Sequence, residues 1–340
     1  MSLWAVGRTV RLGTLPGSRK AAGGYWRAED RMMRVTWIWG LMLASAIAGA
    51  GRAGAQPRAA KAMTLPGLRK ALKTTIAGKA DPQLPPSPPA GDLEKVSYPA
   101  PLGHNVAYIT PVKRGARRPA ILWIQGGFEW GIDSSAWRRA PRDNDQSAAS
   151  FRKAGIAEMY PALRGASGNP GKPECFLGEI DDILAAADFL AGRPDVDPKR
   201  IYLGGHSTGG TMVLLAVEST TRFRTAFAFG PVADPRQYNP GCLPAGVSLA
   251  EARPRAPIAL LSEIQTPTFI IEGERSGNIE AFPMFQERIG AAPIQLLKIR
   301  NATHFSDLAP AYEVIGKAIL ADTGEQPAIH LTAEAIQAAM

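Results

Sequence analysis

The segment Gly204-Gly205-His206-Ser207-Thr208-Gly209-Gly210 constrains this chain more than any other, because of what flanks it. Before it, Arg200–Leu203 (RIYL) reads as a strand. After it, Thr211–Glu218 (TMVLLAVE) reads as a buried helix. A strand that turns directly into a helix needs small residues where the two backbones meet, and Gly205 and Gly209 bracket Ser207 at the spacing G-x-S-x-G. The apex side chain of such a turn is held out at the sheet edge, and the helix N-terminus behind it favours developing negative charge. Ser207 is therefore the candidate nucleophile. The five-residue pattern is weak by itself in a chain with 35 glycines, and the strand–turn–helix context makes it specific.

The rest of the chain repeats the same alternation. Leu93–Tyr98 and Asn105–Ile109 read as a hairpin, and Ala120–Ile124 (AILWI) as a strand buried on both faces. Further strands are expected at Ile156–Tyr160, Ala226–Phe229, Thr268–Ile271 and Gln295–Ile299. Helical spacing occupies Glu179–Leu190, Ala281–Ile289 and Ala309–Ala321, with a short helix at Thr332–Ala339. Strands alternating with helices predict an α/β domain with a mostly parallel sheet covered on both faces. With 45% apolar residues the chain has the material for a large core. No internal repeat suggests a propeller or solenoid.

Among four histidines, His304 is the candidate base. His206 adjoins the serine inside the turn, His104 precedes an early strand, and His330 lies in the terminal segment. His304 follows the apolar strand QLLKI, in the loop where the order Ser…acid…His puts the base. Acyl transfer also needs donors for an oxyanion, and Gln125-Gly126-Gly127-Phe128 follows the buried strand AILWI directly. The amides of Thr208 and of Gly127 or Phe128 are the candidate oxyanion hole.

These motifs resemble the α/β-hydrolase superfamily, most closely prolyl-oligopeptidase-type and dienelactone-hydrolase-like serine hydrolases. The likeness is carried by Gln125-Gly126-Gly127, Leu163-Arg164-Gly165, Asp195-Val196-Asp197-Pro198-Lys199-Arg200-Ile201, Gly205–Gly209 and Thr303-His304-Phe305, within about residues 93–320. It implies a mostly parallel eight-stranded α/β-hydrolase sheet with helices on both faces. It also implies a serine hydrolase, esterase or peptidase, that cleaves a carboxylic ester or short peptide through an acyl-enzyme, with no metal or organic cofactor. The gating propeller of the large peptidases finds no room in the fewer than 40 residues between Gln56 and Leu93, so open access is expected. One departure stands out: where the family pattern has an aspartate, this chain reads Glu272-Gly273-Glu274-Arg275-Ser276-Gly277-Asn278. Glu274 is the first choice for the acid that orients His304, with Glu280, Glu272 and Asp234 as alternatives. A Ser–His pair assisted by Asn278 or water is a further option. The missing aspartate also motivates a rival from another class, a non-catalytic binding protein that retains the fold. The loop from Glu129 to Ser150 carries Trp130, Trp137, Arg138, Arg139 and Arg142 and is expected to wall the pocket, its arginines reading as solvated surface.

The net charge of +9 does not point to nucleic acid, because residues 1–55 hold eight Arg/Lys against two carboxylates. That surplus flanks the apolar run Val35–Ala50, which is followed by Ala53-Gly54-Ala55. A basic flank, a short apolar run and an A-x-A site describe a signal peptide over residues 1–55, with translation starting at Met1 or near Met32. Its 16 residues fall short of the about 18 that a membrane span needs, so no stable span is expected after cleavage. The expected organisation is thus an exported chain, periplasmic or secreted. It has a basic, Pro-rich extension over 56–92, the hydrolase domain over 93–322 and a tail over 323–340. Two cysteines, Cys175 and Cys242, permit one disulfide, and the sequence leaves their pairing open.

Overall fold

The computed structural model describes residues 64–340, so the expected signal segment and the start of the extension lie outside the described residues. The strands are β1 (Glu94–Ala100), β2 (Gly103–Ile109), β3 (Arg118–Ile124), β4 (Ala157–Pro161), β5 (Val196–His206), β6 (Ala226–Phe229), β7 (Thr268–Gly273) and β8 (Ile294–Ile299). The helices are α1 (Leu65–Ala71), α2 (Ser150–Lys153), α3 (Glu179–Ala191), α4 (Thr208–Val217), α5 (Leu249–Ala252), α6 (Phe282–Arg288), α7 (Leu308–Ala321) and α8 (Ala333–Gln337).

All eight strands join one sheet in the order β1-β2-β4-β3-β5-β6-β7-β8. The sheet is mixed: β1 and β2 form an antiparallel hairpin and β2 runs antiparallel to β4. From β4 onward every neighbour is parallel. The sheet is thus parallel over its larger part, and its antiparallel portion lies at the expected hairpin and its junction with β4. A tight turn between β1 and β2 closes the hairpin, whereas each parallel neighbour requires a crossover that the helices supply.

Side-chain alternation along the central strands divides the core in two. Leu122 and Ile124 of β3, Leu203 of β5 and Ile270 of β7 pack with Ile180 and Ile183 of α3 and Leu214 of α4. Ile121 and Trp123, Tyr202, and Phe269 and Ile271 point the other way, against Tyr312 and Ile315 of α7 and Phe151 of α2. Each central strand thus has both faces covered, which is why AILWI is apolar at every position.

The extension is no free spacer in its described part. Gly78 N donates to Pro173 O (2.7 Å), Asp81 N to Gly165 O (2.7 Å) and Tyr108 Oη to Pro86 O (2.6 Å). At the other end, the expected tail closes over the core: Ile336 of α8 is wholly buried with Leu331, and Asp322 accepts from Arg224 and Tyr202. Cys175 and Cys242 form a disulfide with Cα atoms 5.6 Å apart, joining the loop before α3 to the loop after β6. Arg164, one of the residues carrying the family likeness, grips Asp182 of α3 through Nε (2.9 Å) and Nη2 (3.0 Å), a structural role.

Candidate active site

Parallel strands end on the same edge of a sheet, and here the ends of β5, β6, β7 and β8 carry the chemistry. Ser207 follows β5 and begins α4, with φ 56° and ψ −116°. A non-glycine residue at that geometry costs about 1–3 kcal/mol and persists because its surroundings hold it. Ser207 N donates to Phe229 O of β6 (2.8 Å), and Thr211 N donates to Ser207 O (3.0 Å). The flanking glycines permit this packing. A Cβ on Gly209 would lie 2.2 Å from Ile124 O, and one on Gly210 would lie 2.4 Å from Phe229 O. Any larger residue would push the turn off β3 and β6.

His304 stands in the turn after β8, its Nδ1 2.9 Å from Oε2 of Glu272. Glu272, at the end of β7, is wholly buried. Its Oε1 accepts from Gly273 N (2.8 Å), and its Oε2 also accepts from Asn278 N (2.9 Å). With the carboxylate accepting, Nδ1 carries the proton and Nε2 presents a lone pair. Two glycines clear the space around the pair. A Cβ on Gly230 (φ 53°) would lie 2.3 Å from His304 Cε1, and one on Gly277 (φ 97°) would lie 2.6 Å from His304 Nδ1. Both positions need a positive φ and an absent side chain together.

Glu274, the first choice from sequence, is not the partner of His304. It lies beyond the strand end, half-exposed, with Oε1 3.4 Å from Lys298 Nζ. The end of β7 at Gly273 explains the difference: alternation alone would put both carboxylates on one face, but Glu274 lies past the strand and turns to solvent, while Glu272 points inward. Asp234 is held by Arg236 (2.6 Å), and the 3-10 turn Ile279–Ala281 carries Glu280 away exposed. Asn278 does belong to the site, its Nδ2 donating to Gly230 O (2.7 Å) and its N–H to the carboxylate.

His206 takes a part that its position had concealed. Its Nε2 bonds the main-chain oxygen of His304 (2.9 Å), so it steadies the backbone that carries the base. Burial, followed by the charge of His304, pushes its pKa down to about 3, and the ring stays neutral. Tyr238, on the loop after β6, has no counterpart in the sequence reading. Its hydroxyl meets Thr211 Oγ1 (2.9 Å), and Thr211 in turn accepts from Val232 N (3.1 Å). Burial raises the Tyr238 pKa, opposed by its contacts with the hydroxyls of Thr211 and Ser207. Its ring stacks on Phe176 at 5.9 Å and meets Phe128 edge-on at 5.3 Å, an aromatic wall beside the serine. A tyrosine in a Pro-rich loop carries no motif, so only the fold brings it here.

Thr208 begins α4, and its hydroxyl donates to Gly127 O, tying the turn to the loop after β3. Among the described residues, the amides of Thr208, Gly127 and Phe128 donate to no other backbone group. Of the long loop, Trp130 is buried near Phe128 and Phe176, while Trp137 packs edge-on against Tyr108. Arg138, Arg139 and Arg142 line a separate cavity of about 910 Å³, and Arg142 pairs there with Glu313. Among the described residues, no cluster of His, Cys, Asp and Glu has the makings of a metal site. No helix among them is long and apolar enough to cross a membrane.

The model of the prolyl oligopeptidase family matches residues 147–274, which include the serine turn and Glu272. The uncharacterized peptidase YtmA of Bacillus subtilis is 29% identical over 212 residues, 55% of this chain and 80% of that protein. An uncharacterized protein of Mycobacterium tuberculosis is 31% identical over 143 residues, 38% of this chain. The chain spans about half that relative's length, 47%. Among solved structures, the acylaminoacyl peptidase of Pyrococcus horikoshii superposes with a TM-score of 0.56 at 14% identity, over 72% of this chain and 44% of the other. The esterase of Pyrobaculum calidifontis does so with a TM-score of 0.51 at 16% identity, over 68% and 86%. The chain has the α/β-hydrolase fold, and the expected likeness to prolyl-oligopeptidase-type members is borne out.

Proposed function

We propose that this α/β-hydrolase-fold chain is a serine hydrolase that cleaves a carboxylic ester or a short peptide through an acyl-enzyme. One observation carries the reading: a serine on a strained turn shares its strand edge with an imidazole whose Nδ1 is held by a buried carboxylate. In this reading Ser207 Oγ hydrogen-bonds His304 Nε2 in the substrate complex, since catalytic hydrogen bonds tighten when substrate is bound. Nε2 takes the hydroxyl proton as Oγ attacks the carbonyl carbon, and Glu272 stabilises the imidazolium that forms. The amides of Thr208 and of Gly127 or Phe128 receive the developing oxyanion. His304 then returns the proton to the departing alcohol or amine, and water repeats the sequence to free the acid.

A non-catalytic binder was motivated by the missing aspartate, and Glu272 removes that motive. A fluorophosphonate probe separates the two readings. Labelling of the wild-type chain that vanishes in Ser207→Ala is the expected result, and a folded wild-type chain that stays unlabelled refutes the hydrolase. We also propose export: the basic flank, apolar run and Ala53-Gly54-Ala55 support it, as does a disulfide, which suits an oxidising compartment. N-terminal sequencing of the mature protein should begin at Gln56.

A further inference from the structure

The base stands beside an apolar surface that the steps above leave unused. Among the described residues, the large apolar side chains that stand exposed are non-aromatic with one exception, Phe305, directly after His304 and 38% exposed. Its ring meets His304 edge-on at 5.1 Å between centroids and His206 edge-on at 5.3 Å. His206 in turn reaches the serine turn: a Cβ on Gly126 would lie 3.2 Å from His206 Nδ1 and 3.3 Å from Ser207 Cβ. Phe305 therefore touches the base and the residue that flanks the nucleophile. Among the described residues these are its only ring partners, so it is a second apolar surface, separate from the wall of Phe128, Phe176 and Tyr238.

A single exposed phenylalanine on a loose loop needs no explanation. This one is held. Phe305 N and Ser306 N both donate to Thr303 Oγ1 (3.4 and 3.2 Å), and Thr303 N donates to Ser306 Oγ (2.8 Å). Leu308 N donates to Phe305 O (3.3 Å), so the turn that carries the base fixes the backbone of Phe305 with it. The chemistry then says what covers the ring. In acylation Ser207 Oγ bonds to the carbonyl carbon, and the bond from that carbon to the leaving oxygen or nitrogen breaks. The proton on His304 Nε2 passes to the leaving atom. That atom must come within about 2.6–3.2 Å of Nε2, so whatever it carries lies over the surface beside the imidazole. An apolar group there covers Phe305, and an aromatic one gains a ring–ring contact as well.

We infer that Phe305 is the leaving-group platform of this site, selecting substrates whose departing alcohol or amine carries an aromatic ring within a bond or two of the leaving atom. This inference rests on the serine-hydrolase reading and narrows its substrate class on the side of the leaving group.

Hydrolysis of benzyl acetate and of methyl acetate tests it. The acyl group is the same, the two alcohols are of nearly equal acidity, and both esters pass through one acetyl-enzyme. A difference in kcat/KM therefore arises only while the leaving group is present. The wild-type chain should favour benzyl acetate about tenfold in kcat/KM, as burying roughly 50 Å² of apolar surface provides. Phe305→Ala should remove most of that margin, and Phe305→Tyr, which keeps the ring, should retain it. A ring that only props His304 would slow both esters alike in Phe305→Ala, and a margin left intact in that way overturns the platform. So do equal values for the two esters in the wild-type chain, or turnover of neither by a chain that the fluorophosphonate labels. That labelling expels fluoride and draws on no aromatic leaving group, so losing the platform leaves the hydrolase reading standing.

Discussion

Glu272 and Glu274 differ by two positions and by everything that matters electrostatically. One is wholly buried with three hydrogen bonds fixed on it, and the other faces solvent beside Lys298. Glu272→Gln should lower kcat by about 10⁴-fold, because an amide oxygen no longer stabilises the imidazolium and the wrong tautomer becomes accessible. Glu274→Gln should change kcat little, as an exposed ion pair contributes about 0–1 kcal/mol. Steady-state kinetics on any substrate the wild-type chain turns over decides between them. His206 yields a pH prediction. Its folded pKa, about 3, lies below the ordinary value near 6.5, so below about pH 6.5 the unfolded chain takes up a proton that the folded chain refuses. That difference costs about 1.4 kcal/mol per pH unit between those two values and vanishes above 6.5. Urea unfolding at pH 7 and pH 5 should therefore show a smaller acid loss in His206→Gln than in the wild-type chain. An equal loss in both would contradict the assignment.

At the scale of elements, the site is a product of loops that follow parallel strands, each cleared by glycine. Gly230 follows β6 and Gly277 lies in the loop after β7, with the His304–Glu272 pair between them. Gly277→Ala should leave the fold intact by circular dichroism yet reduce kcat/KM at least about 100-fold, since a displacement near 1 Å at a catalytic group has that effect. Wild-type activity in that variant would mean that the imidazole has room the structure does not give it. In this region the sequence named candidates where a local pattern existed. Ser207 sat between a recognisable strand and helix, and His304 followed the last apolar strand. For the acid it ranked Glu274 ahead of Glu272, because no spacing tells which of two nearby carboxylates still points inward when a strand ends. Tyr238 and the positioning part of His206 were not legible at all, since each depends on which loop lies opposite.

Across the whole molecule, the disulfide and the N-terminal extension fasten the surroundings of the site. Cys175 and Cys242 are 67 residues apart, and closing a loop of that size stabilises the folded chain by about 4 kcal/mol through the unfolded state. Cys175→Ser with Cys242→Ser should lower the unfolding free energy by an amount of that order, measured by guanidinium titration. Because the bridge joins the Phe176 loop to the Tyr238 loop, the double variant should also lose activity at temperatures where it remains folded. The extension crosses the segment from Gly165 to Pro173 through Gly78 and Asp81, so the part over 64–92 belongs to the domain it was expected only to precede.

The sequence by itself determined the alternation of strands and helices, the doubly covered sheet and the turn that exposes Ser207, because periodicity, apolar runs and glycine spacing are local properties. Only the tertiary structure decided that β2 joins β4 antiparallel, that Glu272 rather than Glu274 meets His304, and that Cys175 reaches Cys242. Each of these depends on residues distant in the chain sharing one strand edge or one loop contact, and local pattern carries no record of that.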